Sequence, residues 1–595
     1  MAANALDRQL IQLEAGRYKF GLGEATHVIE SLKRLDAAQF PDAPSLIRFH
    51  ETLLFLRAFP QAPAVIRTTE RILKNFHKKV ESLHKAGANM DAFDTFEFSG
   101  IAGTAMEDTL SFDVAKWLIK RMPGKVEIAW DHYEPGRELG TTGPRFIPLL
   151  EDDANVEADT PWQRWLETAA GATGRNLIGR KRKATATWLV DRFDQLPLPP
   201  QQKAELYESL RVPLRWALED SVITRTRNRK PPRTVLDRSV FYHTAPLISR
   251  SEVSLANELA KRPPKLTKLS LQRGNEIMEL IREVMLVRYR ELYGTTLGDP
   301  RSVVKADVGR GVSIYLWNLP PERRLPLRAY VAGLTLKNGV PINYIEAIGL
   351  CEWMEVGFNT FYTFRGGEAG WIYAQVLRCL CYRMGTTCVS VYPYQLGKDN
   401  EEAIESGAFW FYRKLGFRPG RPDLQNLAER EEVKIAADFR SRAKKYRTPA
   451  RMLRRLADGY AFYELPGSEV GAWDKFSTRN IGLRVNQRMA CDFAGDAAQI
   501  RKHSSHGLKK ALNIKIDDRK GTKARSSSWT PQEKSAFEAF ALVLAGVPEL
   551  RTWTREEKEA LLQVTQAKAK PDEMIYLRLT QRHAKLRKAL LKLGS

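Results

Sequence analysis

Apolar positions repeat with the period of a helix near both ends of this chain and with the period of a strand in its middle. Residues 1–90 carry apolar side chains at helical spacing, interrupted at Gly21-Leu-Gly23. Leu269 to Tyr293 has the same spacing and predicts one long amphipathic helix. Helical spacing returns after Pro419, so both ends of the chain are expected to be mainly helical.

A sheet is predicted from Gly311 onward, where the period changes to two. Val312 to Leu319 is one expected strand. Leu327 to Lys337 and Val340 to Leu350 are two more, joined by Asn338-Gly339. An Asn-Gly pair between two apolar runs is a strong signal for a β-hairpin.

A glycine-rich loop follows the next predicted strand, Glu355 to Phe364. The loop is Arg365-Gly-Gly-Glu-Ala-Gly370, and it leads into a predicted helix from Trp371 to Met384. Glycine lets the backbone approach a ligand closely, and the first N–H groups of a helix attract anions. The order strand, glycine loop, helix therefore favours phosphate binding. Thr387 to Tyr392 is predicted as the following strand.

Two related segments near the C-terminus predict two helix starts. Trp529-Thr-Pro-Gln-Glu533 and Trp553-Thr-Arg-Glu-Glu557 lie 24 residues apart, and each has a threonine followed three residues later by glutamate. This spacing is typical of a capping box, in which the two side chains satisfy free N–H groups at a helix start.

These periods predict an α+β protein with a mixed sheet, flanking helices, and mainly helical N-terminal and C-terminal regions. We expect four segments: a mainly helical domain at 1–160, a helical connection with basic runs at 161–300, a domain containing the sheet at 301–425, and a basic helical region at 426–595. The acidic run at 151–160 is the expected link between the first two segments.

Composition narrows the class of protein. At 595 residues and 43% apolar content, the chain can bury several cores. Its five cysteines form no C-x-x-C pair, which favours reduced thiols over a disulfide framework or a zinc site, and no metal is expected. The N-terminus carries charges from Asp7 onward, and no later window is apolar enough to cross a membrane. We therefore predict a cytoplasmic protein without a membrane partner.

Positive charge is concentrated beyond residue 200. The net charge is +24; residues 1–200 hold 26 basic and 27 acidic side chains, whereas residues 201–595 hold 68 and 43. Basic runs occur at 180–183 and 225–230. Such an excess attracts an anionic partner, either nucleic acid or a phosphorylated cofactor.

Two motifs in the middle of the chain resemble the GNAT acyltransferase superfamily, over roughly residues 312–419. Arg365-Gly-Gly-Glu-Ala-Gly370, preceded by Phe364, resembles that family's pyrophosphate loop. Ala408-Phe-Trp-Phe-Tyr-Arg-Lys-Leu-Gly-Phe417 resembles the family's Tyr-x-x-x-Gly-Phe segment. The resemblance implies that 301–425 is a GNAT-like domain using acetyl-CoA or another acyl-CoA. The cofactor-binding residues that it implies are Phe361, Tyr362, Arg365, Gly366, Gly367, Ala369, Gly370 and Trp371.

Two positions depart from the family's pattern. Glu368 stands where the family usually has the middle glycine of the loop, which places a carboxylate beside the expected pyrophosphate. Glu405 stands where the family usually has asparagine, and Asn400 lies five residues earlier.

The same resemblance assigns the catalytic roles. Tyr412 matches the tyrosine that protonates the departing thiolate, and a phenol with a pKa near 10 is protonated at neutral pH. Residues 244–502 contain no histidine, so the base has to be a carboxylate, a tyrosine or water. Glu346, Glu352 and Glu355 lie on or beside the expected strands, and Glu355 is the leading candidate.

The sequence therefore predicts an acyl-CoA-dependent N-acyltransferase acting on an amine of unknown identity. Two alternatives stay open. The domain can be a degenerate GNAT fold that serves as a binding module, with nucleic acid on the basic half of the chain. It can also be a transferase that takes its acyl group from an aminoacyl-tRNA.

Overall fold

The computed structural model describes residues 2–21, 23–133, 161–171, 184–219, 223–228, 240–439, 446–513 and 529–595. Within these ranges the protein is α+β with one large mixed sheet, as the sequence predicts. The acidic run 151–160, the basic run 180–183 and the end of the run 225–230 lie outside the described residues.

The chain divides into two compact units. The first comprises Met1–Asp237, Tyr242–Pro246 and Glu279–Thr296, and the second comprises Arg238–Phe241, Leu247–Met278 and Leu297–Ser595. The boundary predicted at residue 160 lies within the first unit, and the boundary predicted at 425 lies within the second.

The first unit combines helices with a small antiparallel sheet in the order β1-β3-β2. Its strands are β1 (Ala105–Thr109), β2 (Val126–Ile128) and β3 (Pro213–Ala217). Its helices up to residue 209 are α1 (Ala2–Gly16), α2 (Glu24–Ala37), α3 (Ala43–Ala58), α4 (Pro63–Lys74), α5 (Phe76–Lys85), α6 (Phe112–Arg121), α7 (Trp162–Gly171), α8 (Thr185–Asp194) and α9 (Pro200–Ser209). Trp216 of β3 and Phe193 of α8 belong to one buried core.

The second unit is built on a nine-stranded sheet with the order β11-β12-β10-β9-β8-β7-β6-β5-β4. The strands are β4 (Leu266–Lys268), β5 (Val304–Gly309), β6 (Val312–Asn318), β7 (Ala329–Lys337), β8 (Val340–Leu350), β9 (Trp353–Thr360), β10 (Cys388–Val391), β11 (Arg418–Pro419) and β12 (Ala461–Glu464). Each pair of adjacent strands from β4–β5 to β8–β9 is antiparallel, whereas β9 and β10 are parallel. The sheet thus extends beyond both ends of the predicted segment 301–425.

The remaining helices come after β3 in the chain. They are α10 (Leu255–Ala260), α11 (Leu271–Leu286), α12 (Tyr293–Thr296), α13 (Ala369–Met384), α14 (Pro393–Leu396), α15 (Glu401–Ser406), α16 (Ala408–Arg413), α17 (Pro422–Phe439), α18 (Ala450–Leu456), α19 (Thr478–Phe493), α20 (Ala497–Ala511), α21 (Pro531–Leu544), α22 (Arg555–Ala567), α23 (Glu573–Arg582) and α24 (Ala584–Gly594). Helix α12 and the end of α11, from Glu279 onward, belong to the first unit.

The predicted hairpin is confirmed. Asn338 and Gly339 join β7 to β8 with φ angles of 49° and 81°, and two positive φ angles are what a type I′ turn requires. The Asn338 side chain also donates to the carbonyl of Phe241 and accepts from its N–H. These contacts hold the turn to the chain segment that precedes the sheet.

Three predicted elements have different bounds in the structure. Strand β9 stops at Thr360 and not at Phe364, because Tyr362–Phe364 forms a short 3₁₀ turn in which Phe364 donates to the Phe361 carbonyl. Phe361 and Phe364 remain buried, which is why the sequence resembles a longer strand. Helix α13 begins at Ala369 and not at Trp371. Helix α11 ends at Leu286, before Tyr289 adopts a left-handed backbone conformation.

Both predicted capping boxes are confirmed. The Thr530 and Thr554 side chains accept from the N–H groups of Glu533 and Glu557, and each glutamate accepts from the threonine N–H at 2.8 Å. Each box therefore marks the start of a helix, α21 or α22. In the part of the chain that the structure describes, no helix is long and apolar enough to cross a membrane.

Removing one capping hydroxyl should loosen one helix. We expect Thr554→Ala to cost about 1 kcal/mol at the start of α22, because the Glu557 N–H loses its side-chain acceptor. Hydrogen exchange of peptides from α22 should quicken by about fivefold. Thr554→Ser keeps the hydroxyl and should exchange like the unaltered protein; equal exchange of the alanine variant would show that the box does not stabilise α22.

Candidate functional site

Strands β9 and β10 are paired only where they begin. Trp353, Met354 and Glu355 pair with β10, whereas every residue of β9 pairs with β8 on its other side. From Val356 to Thr360, β9 has no strand partner on the β10 side among the described residues. Because the two strands are parallel, the gap opens at their carboxyl ends, which is where open α/β sheets bind ligands.

Gln395 lies at this gap. A methyl group at Gly357 would lie 2.8 Å from Nε2 of Gln395 and 3.7 Å from Cβ of Glu346. Gln395 belongs to the short helix α14 that directly follows β10. The absence of a side chain at Gly357 therefore leaves room for an amide group beside β9.

Tyr412, predicted as the acid, lies at the same gap. Its hydroxyl donates to Oε1 of Gln395 at 3.3 Å, and its ring contacts Tyr373 with centroids 5.6 Å apart. Tyr373 in turn contacts Phe358, which points to the opposite face of β9 from Gly357. Tyr412 therefore has contacts toward both faces of the sheet. Burial raises the pKa of its phenol, so the hydroxyl keeps its proton across the neutral range.

Glu355, predicted as the base, lies on the face of the sheet that carries Gly357. Burial raises the pKa of Glu355, although the charge of Arg328 and a hydrogen bond with Tyr460 lower it. Glu346 shares this face, since it pairs with Gly357 across β8 and β9. Burial likewise raises the pKa of Glu346, against a hydrogen bond from the Tyr330 hydroxyl.

Asn359 and Tyr344 continue this face. The Asn359 amide donates to the Tyr344 hydroxyl at 3.1 Å, and the two residues are cross-strand partners. The face beside the gap thus carries two half-buried carboxylates together with hydroxyl and amide groups. Such a lining matches a ligand that brings hydrogen-bond donors, for which an amine is the simplest example.

The predicted cofactor-binding residues form one continuous segment that runs from the end of β9 into the first turn of α13. Phe361 and Trp371 are buried, Tyr362 and Gly366 are exposed, and Gly367 and Ala369 are intermediate. The N–H of Ala369 bonds the Gly367 carbonyl and that of Ile372 bonds the Glu368 carbonyl. The N–H groups of Gly370 and Trp371 make no backbone hydrogen bond among the described residues, as is usual in a first helical turn.

Arg365 is bound within the chain. Its guanidinium forms an ion pair with Glu402 of α15 and lies over the Tyr362 ring, 5.6 Å from the centroid. Its side chain remains about one-third exposed. An anion that reaches Arg365 therefore competes with Glu402.

The Glu368 side chain is directed into the protein, where it pairs with two cations. Its carboxylate is fully buried, forms ion pairs with Arg310 and with Lys337 (3.3 Å), and accepts from the Ile248 N–H at 3.2 Å. Burial by itself raises the pKa of Glu368, but the hydrogen bond from Arg310 and the charge of Lys337 bring it below the ordinary value. The carboxylate is thus neutralised inside the protein.

Asn400 and Glu405 do not contribute to this turn. The Asn400 side chain accepts from the Ala403 N–H at 3.2 Å as the N-cap of α15 and donates to the Tyr394 carbonyl at 3.1 Å. Glu405 is exposed on the same helix. Cys379 and Cys381, in α13, are surrounded by the core, and burial raises the pKa of each thiol to about 12.

Sequence reasoning missed Gln395 and the partners of Glu368. Gln395 could have been suspected, because a polar residue just after the predicted strand Thr387 to Tyr392 falls at the carboxyl end of a parallel strand. Arg310 and Lys337 carry no such signal. They meet Glu368 only because the turn after β5 and the end of β7 lie side by side in the sheet.

Neutralising Glu368 should destabilise the second unit. We expect Glu368→Gln to cost about 3–5 kcal/mol at pH 7, because Lys337 would stay fully buried, and Arg310 partly buried, without their carboxylate. Burial lowers the pKa of Lys337 to about 8, below its ordinary 10.5. The unfolded chain therefore binds more protons between these values, and stability rises with pH across that window.

The variant should accordingly recover part of its stability as Lys337 loses its proton. Thermal unfolding at pH 7 and at pH 9.5 measures this, and the difference between the variant and the unaltered protein should be smaller at pH 9.5. Glu405→Gln, at an exposed position, is the matched control and should change little. If the variant is less stable than the unaltered protein by the same amount at both pH values, the assigned ion pair between Glu368 and Lys337 is contradicted.

Near the gap the chain thus provides a protonated phenol, two carboxylates, and a loop whose one acidic side chain is neutralised. Among the described residues, no group of three His, Cys, Asp or Glu side chains is arranged to hold a metal ion. Comparison of the chain with protein-family models, with curated proteins and with solved structures gives no match.

Proposed function

We propose that the second unit is a GNAT-like N-acyltransferase that moves an acyl group from acetyl-CoA, or another acyl-CoA, to an amine. The observation that carries the proposal is the gap between β9 and β10 with the Tyr412 hydroxyl at it. In the GNAT superfamily the strand before the loop is splayed from its neighbour, and its backbone pairs with the pantetheine arm. The free edge of β9 from Val356 to Thr360 offers the same kind of partner.

The loop fits a pyrophosphate. Gly370 and Trp371 lie at the start of a 16-residue helix, and their N–H groups have no backbone acceptor among the described residues; this arrangement favours an anion. The carboxylate of Glu368, which the sequence suggested would repel phosphate, is buried between Arg310 and Lys337. Gly366, Gly367 and Ala369 are small enough to let a ligand approach the backbone.

Residues beside the gap can carry out the two proton transfers of the reaction, one from the amine and one to the thiolate. An acyl-CoA supplies an acyl group bound through a thioester. Glu355 accepts a proton from the attacking amine, and its raised pKa makes it a stronger base than an exposed glutamate. Tyr412 gives its proton to the thiolate as the carbon–sulfur bond breaks and the carbon–nitrogen bond forms. Glu346 and Asn359 line the face from which the amine approaches.

Calorimetry with acetyl-CoA tests the proposal. We expect Arg365→Ala to weaken binding about 10- to 100-fold, the value of one or two charge-assisted hydrogen bonds to phosphate. Glu402→Gln should instead strengthen binding by up to about fivefold, because it releases Arg365 from its ion pair. Opposite effects of two neighbouring substitutions cannot come from a general loss of structure.

The absence of acyl-CoA binding would overturn the proposed function. If neither acetyl-CoA nor a longer acyl-CoA binds to the unaltered protein, the second unit is not an acyl-CoA enzyme. Glu401→Gln is the control for Glu402→Gln, because Glu401 precedes it on α15 and pairs with Arg454 instead. It should leave the affinity for acetyl-CoA unchanged.

Turnover tests the role of Tyr412. Tyr412→Phe should lower kcat by about 10²- to 10⁴-fold, the usual contribution of a positioned acid, while the KM for acyl-CoA changes little. The reaction releases the free thiol of CoA. A thiol-reactive dye therefore measures turnover with each member of a panel of amines. Unchanged turnover would remove Tyr412 from the mechanism.

Tyr373 provides the matched control. Its ring touches Tyr412, but its buried hydroxyl has no hydrogen-bond partner among the described residues. Tyr373→Phe deletes the same atom from a neighbouring tyrosine and should retain turnover. A similar loss in both variants would indicate a packing defect and not the loss of an acid.

A nucleic-acid function is favoured by one specific observation. Arg501, Lys502 and Lys510 are exposed on helix α20, within residues 201–595, which carry all the excess positive charge. Retention on an anionic polymer that falls steeply with added salt, without any acyl-CoA binding, would support the nucleic-acid-binding module. Transfer from an aminoacyl-tRNA would give the same salt dependence together with product formation.

A further inference from the structure

Arg250 packs against the start of α13, and its charge acts on a second cation, Lys414. The backbone and side chain of Arg250 pack against Gly370, where an added methyl group would lie 3.2 Å from Cγ and 3.4 Å from Cα of Arg250. Lys414 follows α16 directly, two residues after Tyr412. The Lys414 ammonium is close enough to Arg250 that the positive charge of Arg250, after burial, helps to lower the pKa of Lys414.

Neither side chain has a counter-ion in the part of the chain that the structure describes. Among the described residues, no carboxylate forms an ion pair with Arg250 or with Lys414, whereas Arg365 in the loop and Arg413 on α16 are both paired. Arg250 is partly buried, and burial lowers the pKa of its guanidinium. Two like charges held together without an anion repel each other, so a bound anion would relieve an unfavourable arrangement.

We infer that Arg250 and Lys414 bind the phosphate monoester that acyl-CoA carries on its ribose, apart from the pyrophosphate. This inference rests on the proposed function and adds a second phosphate position to it. The expected pyrophosphate position is the turn that contains Arg365. Arg250 comes from the segment before β4, outside the part of the sequence that resembles a known family, so no motif assigns it a role.

The charge and the acceptor oxygens of a phosphate monoester match the charges and N–H donors of Arg250 and Lys414. A phosphate monoester carries about two negative charges near neutral pH and offers three acceptor oxygens. Arg250 can hold two of these oxygens with a planar guanidinium, and Lys414 adds a point charge. An uncharged ligand would leave both cations unpaired.

The test compares acetyl-CoA with 3′-dephospho-acetyl-CoA, which differs only by this phosphate. Calorimetry on the full chain should show at least about tenfold tighter binding of acetyl-CoA, the value of one charge-assisted hydrogen bond. In Arg250→Ala, in Lys414→Ala and in the double variant this preference should shrink, to within about twofold in the double variant. The affinity for the dephospho form should stay the same in all of them.

Controls separate the possible outcomes. Arg501→Ala removes an equal charge from α20 and should keep the full preference, which excludes a general effect of net charge. Lys414 is exposed, so Lys414→Ala tests the site even if Arg250→Ala does not fold. Equal binding of the two ligands to the unaltered protein overturns this inference and leaves the proposed function intact. Binding of neither ligand overturns both.

Discussion

The separation of β9 from β10 is the constraint on which the arrangement of the second unit depends. Two parallel neighbours need a crossover connection, and here the crossover is α13 with the loop that precedes it. The carboxyl ends of both strands therefore meet at one edge. The loop after β9 and Gln395 after β10 lie at that edge for the same reason. Because the strands are paired for only three residues, Tyr412 can reach an amide on the far face.

Charge neutralisation inside the protein makes the loop compatible with an anion. Arg310 lies in the turn between β5 and β6, and Lys337 ends β7 at the next turn along the sheet. The two turns pack together, since the Asn338 N–H bonds the Gly311 carbonyl at 2.8 Å. Glu368 closes this end of the sheet by pairing with both cations. A buried carboxylate that would repel phosphate at the surface instead ties the loop to three strands.

The cations around the loop fall into two classes. Arg310, Lys337 and Arg365 already have carboxylate partners. The first two pair with the buried Glu368, whereas Arg365 stays about one-third exposed beside Glu402. Arg250 and Lys414 have none among the described residues, and they remain available to a ligand. The difference follows from the sequence positions that supply the acids, because α15 brings Glu402 to Arg365 but no described acid reaches Arg250. Internal ion pairs thus account for Arg310 and Lys337, whereas no described carboxylate neutralises Arg250 or Lys414.

The sequence by itself determined the local elements, because these depend on short-range physics. The Asn338-Gly339 turn and the capping boxes at Thr530 and Thr554 require particular residues at fixed spacing, and all three appear as expected. Tyr412 and Glu355 were chosen from the sequence; in the structure the Tyr412 hydroxyl bonds Gln395 beside Gly357, and Glu355 lies on the same face of β9 as Gly357. Apolar periodicity failed at the end of β9, since Phe361 and Phe364 are buried in a turn as deeply as they would be in a strand.

Only the tertiary structure decided what the charged residues do. Glu368 finds Arg310 and Lys337 across 58 and 31 residues of chain, and no local pattern encodes such a meeting. Arg365 is paired by a helix that follows β10, and Gln395 reaches Tyr412 because the strands separate. Arg250 reaches Gly370 from before the first strand of the sheet. Electrostatic partners are set by the packing of distant segments, whereas turns and helix starts are set by neighbours in the chain.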